Sequence, residues 1–487
     1  MKTIMVEMNF KKDFIYERLI RRLIYASILV CAVIIIYFIA SYPGYRMTGW
    51  AAKQACSLIN ITGQSLSQVK AELIEENKLF KLVSLKWNPE TGAVRASVFG
   101  LFPNKAIYRP PLGAVLIFPG YENKIKSFPK PELHLSSAEN RSCYPFKNDH
   151  KVPVGVDKSK LKKVLTYAFE GSLSAKKLVC TRAVLVMWKN QVIAEQYAPG
   201  FSRKSLFISW SMAKSVLNLA IGRRVYQGAM SLNATGLFPV WSNDKRNSIS
   251  LEQLLRMESG LRWYEPYTLT SDVVTMLCRK PDMGNYAASF KRTEDNPPAH
   301  FYYSSGTSNI LSLLLRRSFS SDRDYVNFLW NDFLLPLGIS DAQLEFDASG
   351  TWIGATYFYA TARDWARLGQ FVLNDGVLNG HRLIPEGWIK RTIKPTLSYH
   401  SSTITNDPLG MSYGMHWWIN KKNDKNENWM NDVPNDAIIA WGHYGQYLMI
   451  IPSRRLIIVR LGQEKENSWD ENHFVRLILA ALPDKKN

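Results

Sequence analysis

The stretch FISWSMAKSVLNLAIG, residues 207–222, decides how this chain is read. Ser211 and Lys214 stand three apart, just ahead of a run, Val216–Ile221, that is apolar except for Asn218. On a helix, residues i and i+3 share a face, so these two side chains can touch. A serine hydroxyl is a weak nucleophile until a neighbouring base takes its proton. A lysine inside an apolar helix loses solvation, its pKa falls, and it becomes able to act as that base. The plainer alternative is a helix cap followed by a solvated lysine, because serine is favoured at helix starts. Ser67/Lys70, Ser127/Lys130 and Ser242/Lys245 repeat the spacing, so the pair alone does not choose.

The rest of the chain supplies context. Its 487 residues are 46% hydrophobic and 12% aromatic, enough for a large core. The formal charge of +20 points to an anionic neighbour such as a membrane surface or envelope polymer. The basic residues are dispersed and no nucleic-acid motif accompanies them, which argues against nucleic acid as a partner. Between Arg22 and Arg46 no residue is charged, and a helix needs about 20 apolar residues to span a bilayer. Lys11, Lys12, Arg18, Arg21 and Arg22 precede this run. The positive-inside rule therefore places residues 1–22 in the cytoplasm, 23–45 across the inner membrane as a signal anchor, and the remainder in a periplasm or beyond. A cleaved signal peptide is the rival reading, although no clean small-x-small site follows. Of the cysteines expected outside the membrane, Cys56, Cys143, Cys180 and Cys278 allow three disulfide pairings, which the sequence leaves open. Their spacing matches no zinc pattern, and no metal or other cofactor is expected.

Residues 46–155 read as an accessory region: an amphipathic helix around 67–78, then short strands such as AVRASVFG and GAVLIF. From residue 156 to 487 the pattern changes. Asp157 caps a helix, and RAVLVMW-KN-QVIAEQYA reads as a hairpin turning at Lys189–Asn190. Helical patterns dominate from about 230 to 390, and the chain returns to strands in AIIAWG, QYLMIIP and RLIIVRLG before a last helix near 472–482. This order predicts an α/β fold: an antiparallel sheet made by both ends of the segment, flanked by helices, with an inserted, mostly helical subdomain. One N-terminal transmembrane helix precedes it.

Two further stretches stand out. FYYSSGTSNILSLLL places Tyr303 and Ser305 at the start of an apolar helix, and WGHYGQYLMIIP puts His443, Tyr444 and Gly445 at the entry to a strand. With SMAK, in this order, they resemble the Ser-x-x-Lys, Tyr-x-Asn/Ser and Lys/His-x-Gly motifs of the serine β-lactamase and penicillin-recognising superfamily. The stretches ISLEQLLRMESGLRWYEPY and YATARDWARLGQFVLNDGVLNGHRLIPEGW look specifically like its class C-like branch, which holds esterases and 6-aminohexanoate-dimer hydrolases. The resemblance covers about 156 to 485 and implies a β-lactamase-like fold. It implies Ser211 as nucleophile, Lys214 as its proton acceptor and Tyr303 as a second proton carrier, provided nearby cations make its phenolate accessible. It also implies an oxyanion hole from the backbone N–H groups of Ser211 and Gln446. Ser305, His443, Gly445 and Tyr267 would then contact substrate, while Tyr264 is a further loop aromatic and Trp417 and Trp418 are core residues beside the site.

The third motif lacks the small hydroxyl residue that helps bind a β-lactam carboxylate, since Tyr444 fills that position. No Glu-x-x-Leu-Asn stretch supplies a separate deacylation glutamate. The sequence therefore points to a membrane-anchored serine hydrolase that cleaves an ester or amide, as a small molecule or peptide-like substrate, through an acyl-enzyme. A D,D-peptidase or β-lactamase is the second reading and a non-catalytic envelope binding protein the third.

Overall fold

The computed structural model describes residues 2–134, 152–170, 180–292, 301–396, 412–421, 429–464 and 469–483. Side chains of residues 2–17, 19–20 and 32–39 fall outside that description, as does Cys143.

The hairpin and the three late strands join one antiparallel sheet. Its seven strands run Ser412–Tyr413, Trp418–Ile419, Ile438–Gly442, Gln446–Ile451, Leu456–Gly462, Thr181–Trp188 and Gln191–Tyr197. The pairing of Leu456–Gly462 with Thr181–Trp188, with Ile458 opposite Val186, closes the two ends of the segment together. These strands read as continuous apolar runs because both faces are covered. Val184, Val186, Tyr447, Met449 and Ile458 pack under the helices Lys158–Glu170 and Glu471–Ala481. Their alternates Leu185, Met187, Leu448, Ile450 and Ile457 pack on the other face, where the helix Ala362–Leu373 crosses the sheet. The hairpin turns at Lys189 (φ 48°) and Asn190 (φ 66°), the left-handed pair that a two-residue turn requires.

The N-terminal part departs from the expected boundary. A single helix runs from Lys2 to Thr62, through Pro43 and past residue 45 into the protein interior. Among the described residues no helix is long and apolar enough to cross a membrane, so the structure does not support the expected transmembrane helix. Residues 32–39, at the centre of that span, are among those whose side chains are not described. From Arg46 onward the helix is core: Ala51, Ala52, Ala55, Cys56 and Ser57 are buried. A Cβ at Gly49 would lie 3.0 Å from the Cys278 carbonyl, so the helix Asp272–Arg279 sits nearly backbone to backbone against it. Cys56 and Cys278 are buried and free. A four-stranded antiparallel sheet, Val83–Trp87 to Ala114–Leu116, covers another side of the long helix.

One buried ion pair ties this region to the helical subdomain. Lys53 pairs with Glu345, whose other oxygen accepts from Ser57 Oγ (2.7 Å) and from the Ala114 N–H (2.8 Å). Lys53 Nζ also lies 3.9 Å from the centroid of the Tyr357 ring. Removing one partner of a buried pair strands the other charge, at roughly 3–5 kcal/mol, whereas replacing both with apolar groups is often neutral. Lys53→Ala is therefore expected to lower unfolding free energy by about 3 kcal/mol in chemical denaturation. The double variant Lys53→Met, Glu345→Leu should recover much of that loss.

Candidate active site

The strand Phe207–Ile208 delivers the chain to a single turn of 3-10 helix, Trp210–Met212, which runs into the helix Ala213–Tyr226. Trp210 sits at φ 47°, a left-handed conformation that costs a bulky side chain of order 1–3 kcal/mol and holds the next residue at a sharp corner. Ser211 is that residue. It makes no capping bond, since the helix is capped by Met212 without a side-chain acceptor. The apolar run explains the rest: Val216, Leu217, Leu219, Ala220 and Ile221 are all buried, which draws Lys214 inside with them.

Lys214 is 2% exposed, and its Nζ donates to Ser211 Oγ (3.1 Å), Ser305 Oγ (3.1 Å) and the Ala355 carbonyl (2.8 Å). Burial pulls its pKa down to about 8, against the opposing pull of Glu265. Ser305 opens the helix Ser305–Arg317 and passes the contact on, its Oγ donating to Glu265 Oε1 (2.6 Å). Glu265 is buried and also accepts from the Ser305 N–H (2.9 Å) and Trp263 Nε1 (2.5 Å). Burial raises its carboxyl, with Lys214 and these donors opposing. A continuous hydrogen-bonded chain thus runs from Ser211 through Lys214 and Ser305 to Glu265.

Tyr303 approaches the nucleophile from the other side. Its ring stacks on Trp418 (centroids 5.7 Å, planes 21° apart), and Lys214 Nζ lies 4.9 Å from the ring centre. Burial, together with Tyr413 and Glu265, pushes the phenol well above its ordinary range. This burial works against the accessible phenolate that the resemblance asks for. Tyr302 points elsewhere, its hydroxyl bonded to the Trp263 carbonyl.

The hairpin from Ile438–Gly442 to Gln446–Ile451 lies over Ser211. Gly442 pairs with Gln446, and a Cβ at Gly442 would lie 3.2 Å from Ser211 N. Only glycine lets the strand come this near the nucleophile's backbone. The turn is held from behind. Gln446 Nε2 donates to the carbonyls of Tyr444 (3.0 Å) and Gly462 (2.6 Å), and the buried Arg460 donates to that of Gly445 (2.9 Å). Tyr444 and Gly445 adopt φ 60° and 72° to make it. His443 lies between aromatic neighbours, stacked on Tyr267 (5.5 Å, 6°) and edge-on to Trp210 (5.5 Å, 86°). Burial pulls its pKa down to about 4, so it is neutral at physiological pH. Tyr267, though 38% exposed, therefore stands beside His443, whereas Tyr264 makes no such ring contact among the described residues and its N–H is turned to Asp272.

The beta-lactamase family matches residues 180–481, which contain every one of these site residues. The chain belongs to the beta-lactamase family. It is similar to 6-aminohexanoate-dimer hydrolase of Paenarthrobacter ureafaciens, 24% identical over 331 residues, which are 63% of this chain and 78% of that protein. A candidate beta-lactamase from Bacteroides dorei shares the fold at TM-score 0.50 and 15% identity, covering 67% of this chain and 99% of its own. A family VIII carboxylesterase aligns at TM-score 0.49 and 14% identity, over 66% of this chain and 96% of its own.

Two residues of this serine hydrolase escaped the sequence reading. Glu265 stands in RWYEPYT between the tyrosines that attracted notice, and an acidic residue amid aromatics was the available signal. Trp50 lies in the N-terminal helix, outside the family match, and stacks on Trp210 (6.1 Å, 17°) and against Tyr267 (6.0 Å, 75°). Nothing in its local sequence marks it. Among the described residues no group of acidic, histidine or cysteine side chains could hold a metal ion.

The pKa shift has a kinetic consequence. With its pKa near 8, a Lys214 that works as the neutral amine predicts a kcat/KM for an uncharged ester that rises with pH and levels off above about 8. Glu265 raises the Lys214 pKa, so Glu265→Gln should move the inflection to lower pH, read from the same pH–rate profile.

Proposed function

We propose that this family member cleaves an ester or amide bond through an acyl-enzyme on Ser211. The observation that carries the reading is the buried Lys214 Nζ at 3.1 Å from Ser211 Oγ. Lys214 as the free amine takes the hydroxyl proton while Oγ attacks the carbonyl carbon. The backbone N–H groups of Ser211 and Gln446 receive the developing oxyanion, and losing one such donor typically costs about 3 kcal/mol. Tyr303, protonated and beside Oγ, gives its proton to the leaving alkoxide or amine and recovers one from Lys214. Water then enters, and Lys214 takes its proton as the water oxygen attacks the acyl carbon. Tyr303 gives a proton to Ser211 Oγ as the acyl–Oγ bond breaks and recovers one from Lys214, and the acid product leaves. Ser305 holds Lys214 and links it to Glu265, while Gly445 fixes the turn that aims the Gln446 N–H.

An ester or amide fits better than a β-lactam or a D-Ala-D-Ala peptide. Those substrates carry a carboxylate that needs a cation or small hydroxyl in the third motif, and here that motif offers a neutral His443 and Tyr444. The similarity to 6-aminohexanoate-dimer hydrolase favours unactivated amides among the candidates.

We further propose that the N-terminal helix anchors the enzyme to the inner membrane, with the catalytic domain outside the cytoplasm. Supporting this are the uncharged run between Arg22 and Arg46, the basic residues before it, and the exposure of Leu23, Ile24, Ile28, Leu29 and Val30. Deleting residues 1–39, which spares the buried segment from Arg46, is expected to move the protein from the membrane to the soluble fraction with activity intact. Membrane retention of the truncated chain would count against a single anchor.

A fluorophosphonate probe is expected to label the wild type and not Ser211→Ala. Across p-nitrophenyl esters, aminohexanoate oligomers and nitrocefin, turnover should fall on the first two. Equal labelling of the variant, or nitrocefin as the preferred substrate, would overturn the assignment.

A further inference from the structure

The four-stranded sheet beside the long N-terminal helix leaves apolar side chains exposed at one end. Its strands Val94–Val98 and Leu101–Tyr108 meet in a two-residue turn, Phe99–Gly100, with Val98 opposite Leu101. Both turn residues are left-handed, at φ 50° and 79°, where asparagine and glycine are the ordinary choice. A phenylalanine is strained there, and this one is 81% exposed, so packing within the described residues does not account for it. Leu101 beside it is 50% exposed. Val83 pairs with Val98, which brings the 3-10 turn Lys78–Leu82 to the same end, with Leu79 and Leu82 half-exposed. That turn carries Lys78 and Lys81, both exposed, and no acid.

The direction in which this end points follows from its contacts with the helix. Asn60 Nδ2 donates to the Gly92 carbonyl (2.8 Å), and a Cβ at Gly92 would lie 3.2 Å from Tyr108 Cβ, so the open end of the hairpin sits near residue 60. Toward the turn, Thr48 Oγ1 donates to the Phe102 carbonyl (2.6 Å) and Asn104 Nδ2 to that of Tyr45 (3.0 Å). A Cβ at Gly44 would strike the Phe102 ring. The hairpin therefore lies along the helix with its turn toward the N-terminus. At the rise of a strand the turn reaches roughly 7 Å beyond Phe102. The same distance is about five residues of helix, which leads from Gly44 into the uncharged run that starts after Arg22. Tyr42 and Tyr45 mark this level, with the Arg46 guanidinium 3.1 Å from the first ring and that of Arg279 4.6 Å from the second. Tyrosines gather where a membrane meets water.

We propose that the Phe99–Gly100 turn and the Lys78–Leu82 turn form a second membrane contact. Phe99, Leu101, Leu79 and Leu82 enter the headgroup layer of an anionic phospholipid bilayer, and Lys78 and Lys81 meet its phosphates. The inference rests on the reading of residues 23–45 as a membrane anchor and adds a lipid-binding surface to the accessory region. Such side chains hold a membrane weakly and reversibly, and firm attachment takes a second signal, here the helix. A chain lacking residues 1–39 is thus still expected in the soluble fraction. With the helix in place, the contact fixes the rotation of the catalytic domain about its anchor.

The test puts the photo-crosslinking amino acid p-benzoylphenylalanine in place of Phe99, in the full chain reconstituted into vesicles of phosphatidylethanolamine and phosphatidylglycerol. Irradiation is expected to give a phospholipid adduct, read by mass spectrometry. The same probe in place of Val154, fully exposed beside Pro483, should give a yield roughly tenfold lower, because crosslinking needs the probe within the interfacial layer. With the probe in place of Leu79, the pair Phe99→Asp and Leu101→Asp should cut the adduct severalfold. Exchanging phosphatidylglycerol for phosphatidylcholine should lower the Phe99 yield about threefold, since the lysines lose an anionic surface. Equal yields at Phe99 and Val154, a Leu79 yield unmoved by the aspartates, a yield indifferent to phosphatidylglycerol, or crosslinked dimers of this chain in place of lipid adducts would overturn the proposal. Carbonate extraction of the same vesicles separates the two ideas. A chain that stays with the lipid but gives no adduct at Phe99 overturns only the second contact, and a chain that is extracted overturns the anchor on which it rests.

Discussion

The structure around the active site depends on keeping one lysine ammonium out of water. Burying an isolated charge is prohibitive unless hydrogen bonds replace its hydration. Lys214 finds three oxygens, and they come from three different parts of the chain: the turn at Ser211, the helix start at Ser305 and the carbonyl of Ala355. None of these parts can move without stranding the charge. The arrangement therefore fixes the nucleophile, the tyrosine helix and the Trp352–Tyr357 segment relative to one another. Glu265 completes the balance from the far side of Ser305, which keeps the lysine's pKa from falling further. The lysine is left near the middle of the range in which it can both hold and release a proton at neutral pH.

This constraint divides the labour between the two proton carriers. Lys214 is poised and Tyr303 is not, because the same burial that lowers an amine's pKa raises a phenol's. A pair whose environment pushes the two pKa values apart in this way supplies one base and one acid without a metal. Trp418 backs the Tyr303 ring, and Tyr267 stacks on His443. The hairpin carrying Gln446 can then serve as a fixed donor, since its turn is bonded from behind by Arg460 and by its own glutamine side chain.

How much of this was legible in the sequence follows from where each contact lies along the chain. The Ser211–Lys214 pair spans one helical turn, and the apolar run after it announced burial. The sheet was legible because strands covered on both faces, such as Leu456–Gly462, are apolar without interruption. Tyr303 and the His443–Gly445 turn were found through motif order rather than through any local physical signal. Glu265 reaches Ser305 across forty positions, and Trp50 meets Trp210 across a still longer separation, so no periodicity records either contact. The end of the N-terminal helix was misjudged for a different reason. A hydropathy argument registers the loss of apolar character at Arg46, but Arg46 is itself buried, bonded to Thr275 Oγ1 at 2.8 and 3.0 Å. Charge ended the apolar run without ending the helix.

That continuity alters what the residues before the family domain do. Had the helix stopped at residue 45, the segment after it would have been a tether to a self-sufficient hydrolase. Instead Lys53 is locked to Glu345, eight positions before Ile353 and ten before the Ala355 carbonyl that holds Lys214. One turn earlier on the same helix, Trp50 stacks on Trp210, the residue before Ser211. The ion pair and the ring contact sit on one helix, three residues apart. The accessory region is thus packed against the Glu345–Tyr357 segment and against the turn before Ser211, through residues of a helix that the family match does not cover.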